Sequence, residues 1–173
     1  MTTAAVLVSS LSPTGQILDN SVLAWGLAAC GLAQLSKLVI ELVVNRRWRP
    51  AVLIETGGMP SSHSALVTGT AAGIGWEAGF NDPVFAMAAT VAFVVMYDAS
   101  GIRRAAGFTA ARVNALPGSA WDETPDKPLK ETLGHSRVEV LVGSVLGPAI
   151  ALPGLAWLGS PLELAQRIGQ AIG

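Results

Sequence analysis

The sequence contains two histidines, and each stands beside groups that suit phosphate chemistry. His135 and Glu139 are four residues apart in "GHSRVEV", so a helix would place them on one face. A carboxylate beside an imidazole fixes its tautomer and raises its basicity, which makes the ring a nucleophile or a base. The alternative is a solvated histidine and glutamate at a helix end. We predict that His135 is a nucleophile and that Glu139 orients it.

The other histidine lies in "TGGMPSSHS", at the start of an apolar segment. Gly57 and Gly58 permit a left-handed turn, and a helix beginning near Ser61 would present unpaired N–H groups to an anion. Ser61 and Ser62 add hydroxyl groups. A glycine turn with a serine cap would explain everything here except His63. We predict that His63 is the general acid.

Basic side chains accompany both motifs. Arginine offers a planar fork of donors that suits phosphate oxygens, although arginines that follow a membrane span also act as anchors. Lys37 meets an anion in a polar cavity, or it reaches the membrane surface, or it pairs with Glu41. No HExxH motif or carboxylate cluster is present, so we predict neither a metal nor a cofactor. The predicted phosphate-binding residues are Lys37, Arg46, Arg49, Ser61, Ser62, Arg103 and Arg104.

The composition indicates that a membrane surrounds the elements that position these residues. Hydrophobic residues make up 51% of the chain and charged residues only 13%, against about 25% charged in soluble domains. The single Cys30 is interpreted as a packing residue, and the near-zero net charge gives no field that would attract nucleic acid. A soluble helical bundle is the alternative. Four apolar segments are candidate spans: residues 22–44, 64–80, 83–97 and 138–158, the last interrupted by Pro148 and Pro153.

The predicted fold class is all-α, an integral membrane bundle of about four transmembrane helices plus a short C-terminal interfacial helix. One domain covers residues 1–173, with an N-terminal tail over 1–20 and an amphipathic helix over 160–173. Ser160 and Glu163 have the spacing of a capping box at the start of that helix. Basic residues follow the first and third spans, whereas "EAGFNDP" between the second and third is acidic. The positive-inside rule therefore predicts that the candidate site faces the cytoplasm.

Three stretches, "GGMPSSHSA", "YDASGIRRAAG" and "LKETLGHSRVEVLVG", resemble the divergent branch of the type-2 phosphatidic acid phosphatase family, which is related to vanadium-dependent haloperoxidases. In the wider family, a Pro-Ser-Gly-His motif supplies the acid, and His63 matches its histidine with Ser62 in place of glycine. A later His-x-x-x-Asp supplies the nucleophile, and His135 matches with Glu139 in place of aspartate. The family's arginine six residues before that histidine is Leu129 here, and eleven residues separate Lys37 from Arg49.

The resemblance implies a metal-independent lipid phosphatase that works through a phosphohistidine. Members that resemble this branch dephosphorylate phosphatidylglycerophosphate, so we expect phosphatidylglycerol as the product. Phosphatidic acid and polyprenyl diphosphate stay open as substrates. A membrane protein that binds or transports phospholipid without catalysis is the competing class, and the sequence leaves homo-oligomerisation open.

Overall fold

The computed structural model describes residues 12–55, 57–117 and 128–172, and these residues form helices and connecting segments with no strand. Residues 1–11 of the predicted tail and 118–127 of the predicted basic loop lie outside the described residues. A short 3-10 helix, Pro50–Leu53, follows the first long helix. The α-helices are α1 Pro13–Leu18, α2 Ser21–Val44, α3 Ser62–Ala78, α4 Pro83–Ser100, α5 Ile102–Asn114, α6 Arg137–Trp157 and α7 Pro161–Ile172.

Three segments of the described chain are long and apolar enough to cross a membrane: Ser21–Val44, Pro83–Asn114 and Arg137–Trp157. The all-α class is therefore confirmed, and three of its segments are candidate membrane-spanning helices. Helix α3 occupies the place of the predicted second span but has 17 residues, fewer than the roughly 20 that usually cross a bilayer. Four spans stay a prediction. The predicted interruption of the last span is wrong, since α6 continues through both of its prolines.

Helix α3 is the centre of the bundle and packs against α2, α4 and α6. Its buried positions are small residues, including Ala65, Gly69 and Gly73. At Gly147 of α6, an added Cβ atom would collide with the Ala65 carbonyl oxygen and the Thr68 hydroxyl. Small residues let two backbones approach closely, and such contacts hold helices together where lipid removes the hydrophobic drive for association.

The stretch after the third span differs from the sequence prediction. We expected a basic loop, but residues 102–114 form α5, which bends away from α4 at Gly101. The segment before α6 lies along α5, because the Asn114 side chain bonds the Leu129 N–H and carbonyl at 2.9 and 2.8 Å. Gly134, with φ +75°, lies against the backbone of Arg104, where a Cβ atom would clash.

The starts of α2 and α7 meet at the other end of the bundle. The predicted capping box of α7 is confirmed: Ser160 and Glu163 exchange side chain to backbone hydrogen bonds of 3.2 Å. The Trp25 indole N–H donates to the Gly159 carbonyl at 2.9 Å, and the Ser160 hydroxyl donates to Asp19 at 2.7 Å. Helix α7 is thus fastened to α2, while its place at the membrane interface stays a prediction.

Candidate active site

The site residues meet at one end of the bundle because neighbouring helices run in opposite directions. The C-terminal ends of α2 and α4 bring Lys37 and Asp98, and the N-terminal ends of α3 and α6 bring His63 and the segment around His135. The two imidazole rings have centroids 6.4 Å apart, at an interplanar angle of 58°. Residues 72 positions apart in the chain therefore lie around one small volume.

His135 is held in one orientation by two hydrogen bonds and by burial. Its Nδ1 lies 2.9 Å from Glu139 Oε2, and its backbone N–H donates to the Ala99 carbonyl of α4 at 2.9 Å. Its side chain is buried, at 5% exposure. Because the carboxylate accepts at Nδ1, that nitrogen carries the proton in the neutral ring, and Nε2 keeps its lone pair.

The contact between His135 and Glu139 does not arise from one helical face, as their spacing suggested. Helix α6 begins at Arg137, and His135 precedes its N-cap, Ser136. Glu139 is the third helical residue, and its carboxylate turns back over the helix start, where it also accepts the Ser136 N–H at 3.3 Å. One carboxylate oxygen therefore caps the helix and fixes the imidazole.

Two cavities flank the His135 ring. The smaller, of about 40 Å³, is lined by His63, Arg103, Val95 and Ala99, with His135 in its wall. The larger, of about 600 Å³, has His135 in its wall together with Lys37, Arg49, Arg104 and Glu139. The structure thus divides the predicted phosphate-binding cations between two spaces that share one imidazole.

Lys37 is buried at 7% exposure, and its ammonium donates to the Gly57 carbonyl at 2.9 Å. Gly57 and Gly58 have φ values of +94° and +78°, as the predicted left-handed turn requires. Lys37 therefore ties the glycine turn to α2. The alternative pairing of Lys37 with Glu41 is not formed, since Glu41 accepts from Asn45 at 2.6 Å instead.

The arginines differ in the partners that their guanidinium groups contact. Arg49 bonds both oxygens of Glu55, at 2.6 and 2.9 Å, and Arg103 bonds Asp98 at 2.6 Å. Arg104 lies with its guanidinium 5.5 Å from the centroid of the Phe108 ring and has no carboxylate partner among the described residues. Arg46 is exposed, with φ +52°, and lines neither cavity.

Residues 18–150 match the family described as the Divergent PAP2 family. The chain belongs to this family. The resemblance carried by the three sequence stretches is thereby confirmed. The chain is also 37% identical over 150 residues to a protein of Bacillus subtilis (strain 168) named "Uncharacterized membrane protein YuiD". The alignment covers 79% of this chain and 95% of that protein. No solved structure matches the chain.

Two residues that we predicted as phosphate ligands are buried in this Divergent PAP2 protein. Ser61 is fully buried, its hydroxyl caps α3 by accepting from Ser64, and its N–H donates to the Glu139 carbonyl at 3.0 Å. That N–H is therefore already engaged. Ser62 is also buried, and neither serine lines the two cavities.

Sequence reasoning missed three contributors to this Divergent PAP2 site. Ser136 starts a Ser-x-x-Glu capping box with Glu139, a signal that was present in the sequence. Asp98 forms an ion pair with Arg103, and Gly134 allows the segment before α6 to lie against the backbone of α5. No local sequence pattern indicated either contact. Within the described part of the chain, no group of three His, Cys, Asp or Glu side chains is placed to hold a metal ion.

Proposed function

We propose that this protein is a membrane phosphatase that hydrolyses a lipid phosphomonoester through a phosphohistidine. The observation that carries the proposal is the pair of imidazoles 6.4 Å apart, one of them bonded at Nδ1 to a carboxylate. A tetrahedral phosphate between two such rings would meet a nucleophilic nitrogen on one side and a proton donor on the other. The family membership supports a phosphatase-related chemistry.

In the first half of the reaction, the lone pair on His135 Nε2 attacks phosphorus. The bond between phosphorus and the ester oxygen breaks, and His63 gives its proton to the leaving alkoxide. Glu139 stabilises the positive charge that develops on the attacking ring. The products of this half are the lipid alcohol and a phosphorylated His135.

In the second half, water attacks the same phosphorus. Neutral His63 takes a proton from the water, and the phosphorus–nitrogen bond breaks to release inorganic phosphate and restore His135. General acid–base help of this kind contributes about 100-fold to 10,000-fold in rate. His63 lies at the surface of the bundle and lines the smaller cavity, so solvent has access to it.

Phosphoryl transfer depends mainly on positioning and on stabilising charge. Arg103 lines the smaller cavity beside both histidines and is held in place by Asp98, which suits a fixed phosphate ligand. Arg104 and Lys37 line the larger cavity and would meet a negatively charged headgroup there. We retain Arg49 as a headgroup contact, and Arg46, Ser61 and Ser62 as weaker candidates because of their positions and partners.

The phosphate site opens to the cytoplasm in this proposal. Arg46, Arg47 and Arg49 follow α2, and Arg103 and Arg104 follow α4, at the same end of the bundle as the histidines. The positive-inside rule favours that end as cytoplasmic. Helix α3 completes a four-span bundle, since 17 residues are at the lower limit for crossing a bilayer. Helix α7 then lies at the opposite interface.

Phosphatidylglycerophosphate is the substrate that we favour, with phosphatidylglycerol as product. A cytoplasmic site suits a biosynthetic lipid, and the larger cavity beside His135, which Lys37 and Arg104 line, has room for a headgroup that extends beyond one phosphate. Phosphatidic acid and polyprenyl diphosphate are the alternatives, and binding of phospholipid without catalysis is the competing class.

The test is phosphate release by the detergent-solubilised protein from phosphatidylglycerophosphate, phosphatidic acid and a polyprenyl diphosphate. His135→Ala should abolish phosphate release, and His63→Ala should leave only a slow residual rate of release. Arg112→Gln, an exposed position on α5, serves as the control. Full activity in either histidine variant would refute the mechanism. Binding of the lipids without any phosphate release would favour the non-catalytic class.

A further inference from the structure

A groove on the outer surface of the bundle lies beside the candidate site. Helices α4 and α6 both pack on α3 but scarcely touch each other, which leaves a channel of about 280 Å³ between them. We call this channel the tail groove. Its walls are formed by Phe93, Met96 and Tyr97 of α4 and by Arg137, Val140 and Leu141 of α6.

The tail groove belongs to the part of the molecule that faces lipid. Both of its walls come from segments that are long and apolar enough to cross a membrane. Phe93 and Tyr97 stack with ring centroids 6.5 Å apart and form one continuous wall. Their side chains are 66% and 68% exposed, and Leu141 on the opposite wall is 63% exposed. In a bilayer, hydrocarbon therefore fills this channel.

Of the three hydroxyl groups in the tail groove, the two from serine do not make it polar, and the third belongs to the largely exposed Tyr97. Ser100 donates to the Met96 carbonyl at 3.0 Å, and Ser144 donates to the Leu141 carbonyl at 2.8 Å, so both are satisfied within their own helices. This arrangement leaves the interior of the groove suited to methylene groups. A buried hydroxyl without a partner would have favoured a polar ligand instead.

A cation stands at one end of the tail groove. Arg137 is exposed and has no ion-pair partner among the described residues. It lies two residues after His135, so its guanidinium is at the end of the bundle that carries the histidines. Residues 137–144 of the helix rise about 10 Å, roughly a third of the hydrocarbon thickness of a bilayer. The groove thus has a cationic mouth and an apolar channel that leads into the membrane.

The tail groove and the candidate site are lined by adjacent residues of α4. Val95 and Ala99 line the smaller cavity beside the two histidines, while Met96 and Ser100, each one residue further, line the groove. A lipid phosphate in the smaller cavity would therefore lie one helix face away from the apolar groove. One lipid molecule can therefore place its phosphate at His135 and an acyl chain in the groove.

We propose that the tail groove binds an acyl chain of the anionic phospholipid whose phosphate lies at His135, and that Arg137 contacts its negatively charged headgroup. The inference rests on the proposed function for the identity of that lipid as the substrate. In this proposal, the groove makes the protein bind a lipid phosphate in preference to a water-soluble phosphomonoester.

A matched pair of substitutions on α6 tests the groove. Leu141 lines it and Val138 does not, yet the two side chains are 63% and 61% exposed. Leu141→Trp should lower kcat/KM for a long-chain lipid phosphate on the order of tenfold, the effect of losing about two buried methylene groups. It should leave kcat/KM for a dihexanoyl analogue unchanged, and Val138→Trp should change neither. Equal losses on both substrates, or equal losses in both variants, would overturn the proposal.

A binding measurement separates this proposal from the proposed function. The His135→Ala protein is placed in vesicles that contain phosphatidic acid with a diazirine on one acyl chain. The vesicles are irradiated, and the labelled peptides are identified. Labelling should map to residues 93–100 and 137–144 and should fall at least tenfold with Leu141→Trp added. Labelling that is unchanged by Leu141→Trp, or a cross-link between two copies of the protein through these residues, contradicts the groove. If the wild type releases no phosphate from any lipid, the labelling still decides the groove while the proposed function fails.

Discussion

His135 Nδ1 lies 2.9 Å from Glu139 Oε2, and that same oxygen accepts the backbone N–H of Ser136 at 3.3 Å. A single carboxylate oxygen therefore serves both the imidazole and the first turn of α6. The two tasks make different demands, because the helix needs only an acceptor whereas the nucleophile needs a negative charge that compensates an imidazolium. Substitutions at Glu139 and Ser136 can separate them.

Glu139→Ala should lower phosphate release by about 100-fold to 10,000-fold, since the ring would lose both its orientation and its counter-charge. The measurement is kcat on the lipid that the wild type accepts, at a temperature at which the variant is folded. Ser136→Ala is the control. It removes the N-cap hydroxyl and should lower the free energy of unfolding by about 1 kcal/mol while most activity is retained. Equal losses of activity in both variants would assign Glu139 a purely structural role.

Arg104→Gln should raise KM about tenfold or more, because a charged donor without a carboxylate partner among the described residues would be lost from the larger cavity. Arg112→Gln, on the same helix and exposed, should leave KM unchanged. Initial rates over a range of lipid concentration in mixed micelles provide the comparison. An unchanged KM in Arg104→Gln would remove this guanidinium from the substrate site.

Gly147→Ala should lower the thermal stability of the detergent-solubilised protein. The new methyl group would meet the Ala65 carbonyl of α3, which cannot move without its helix, and overpacking of this kind costs about 1–3 kcal/mol or more. Gly31→Ala is the matched control, because nothing lies within 4 Å of a Cβ atom there. A melting temperature that is equal in the two variants would contradict the close contact between α3 and α6.

The orientation in the membrane can be tested by cysteine labelling in intact cells. Arg47→Cys, just after α2, should react only when a reagent enters the cytoplasm, and Asn81→Cys, between α3 and α4, should react with a reagent that does not cross the membrane. The native Cys30 is half-buried and provides the background. The reverse pattern would place the histidines outside the cell.

Much of the helical layout could be predicted from local sequence. Apolar segments near 20 residues long marked α2, α4 and α6, and Ser-x-x-Glu patterns mark the starts of α6 and α7. Helix α5 was missed because its three arginines and low hydrophobicity are also typical of a loop. Its helical form depends on Gly107 and the segment after Leu129, which packs across it and is distant in sequence.

The candidate site was predictable in its residue types and not in its geometry. The spacing of His135 and Glu139 indicated a contact, but the contact depends on a carboxylate that folds back over a helix start. The division of Arg103 and Arg104 between two cavities follows from the bend at Gly101, and no pattern in the sequence gives the direction of that bend. Adjacent residues can therefore face different ligands.

The hydrogen bond from the Ser61 N–H to the Glu139 carbonyl joins the main chains of α3 and α6 two residues from His63. At the next turn of α6, Gly143 lies so close to the Ser61 carbonyl that a side chain could not stand between them. The spacing of the main chains that carry the two imidazoles is therefore set by backbone contacts, while the Glu139 side chain orients the His135 ring. Substitutions in the cavity walls can therefore alter the fit of a substrate without moving the main chains that carry the two histidines.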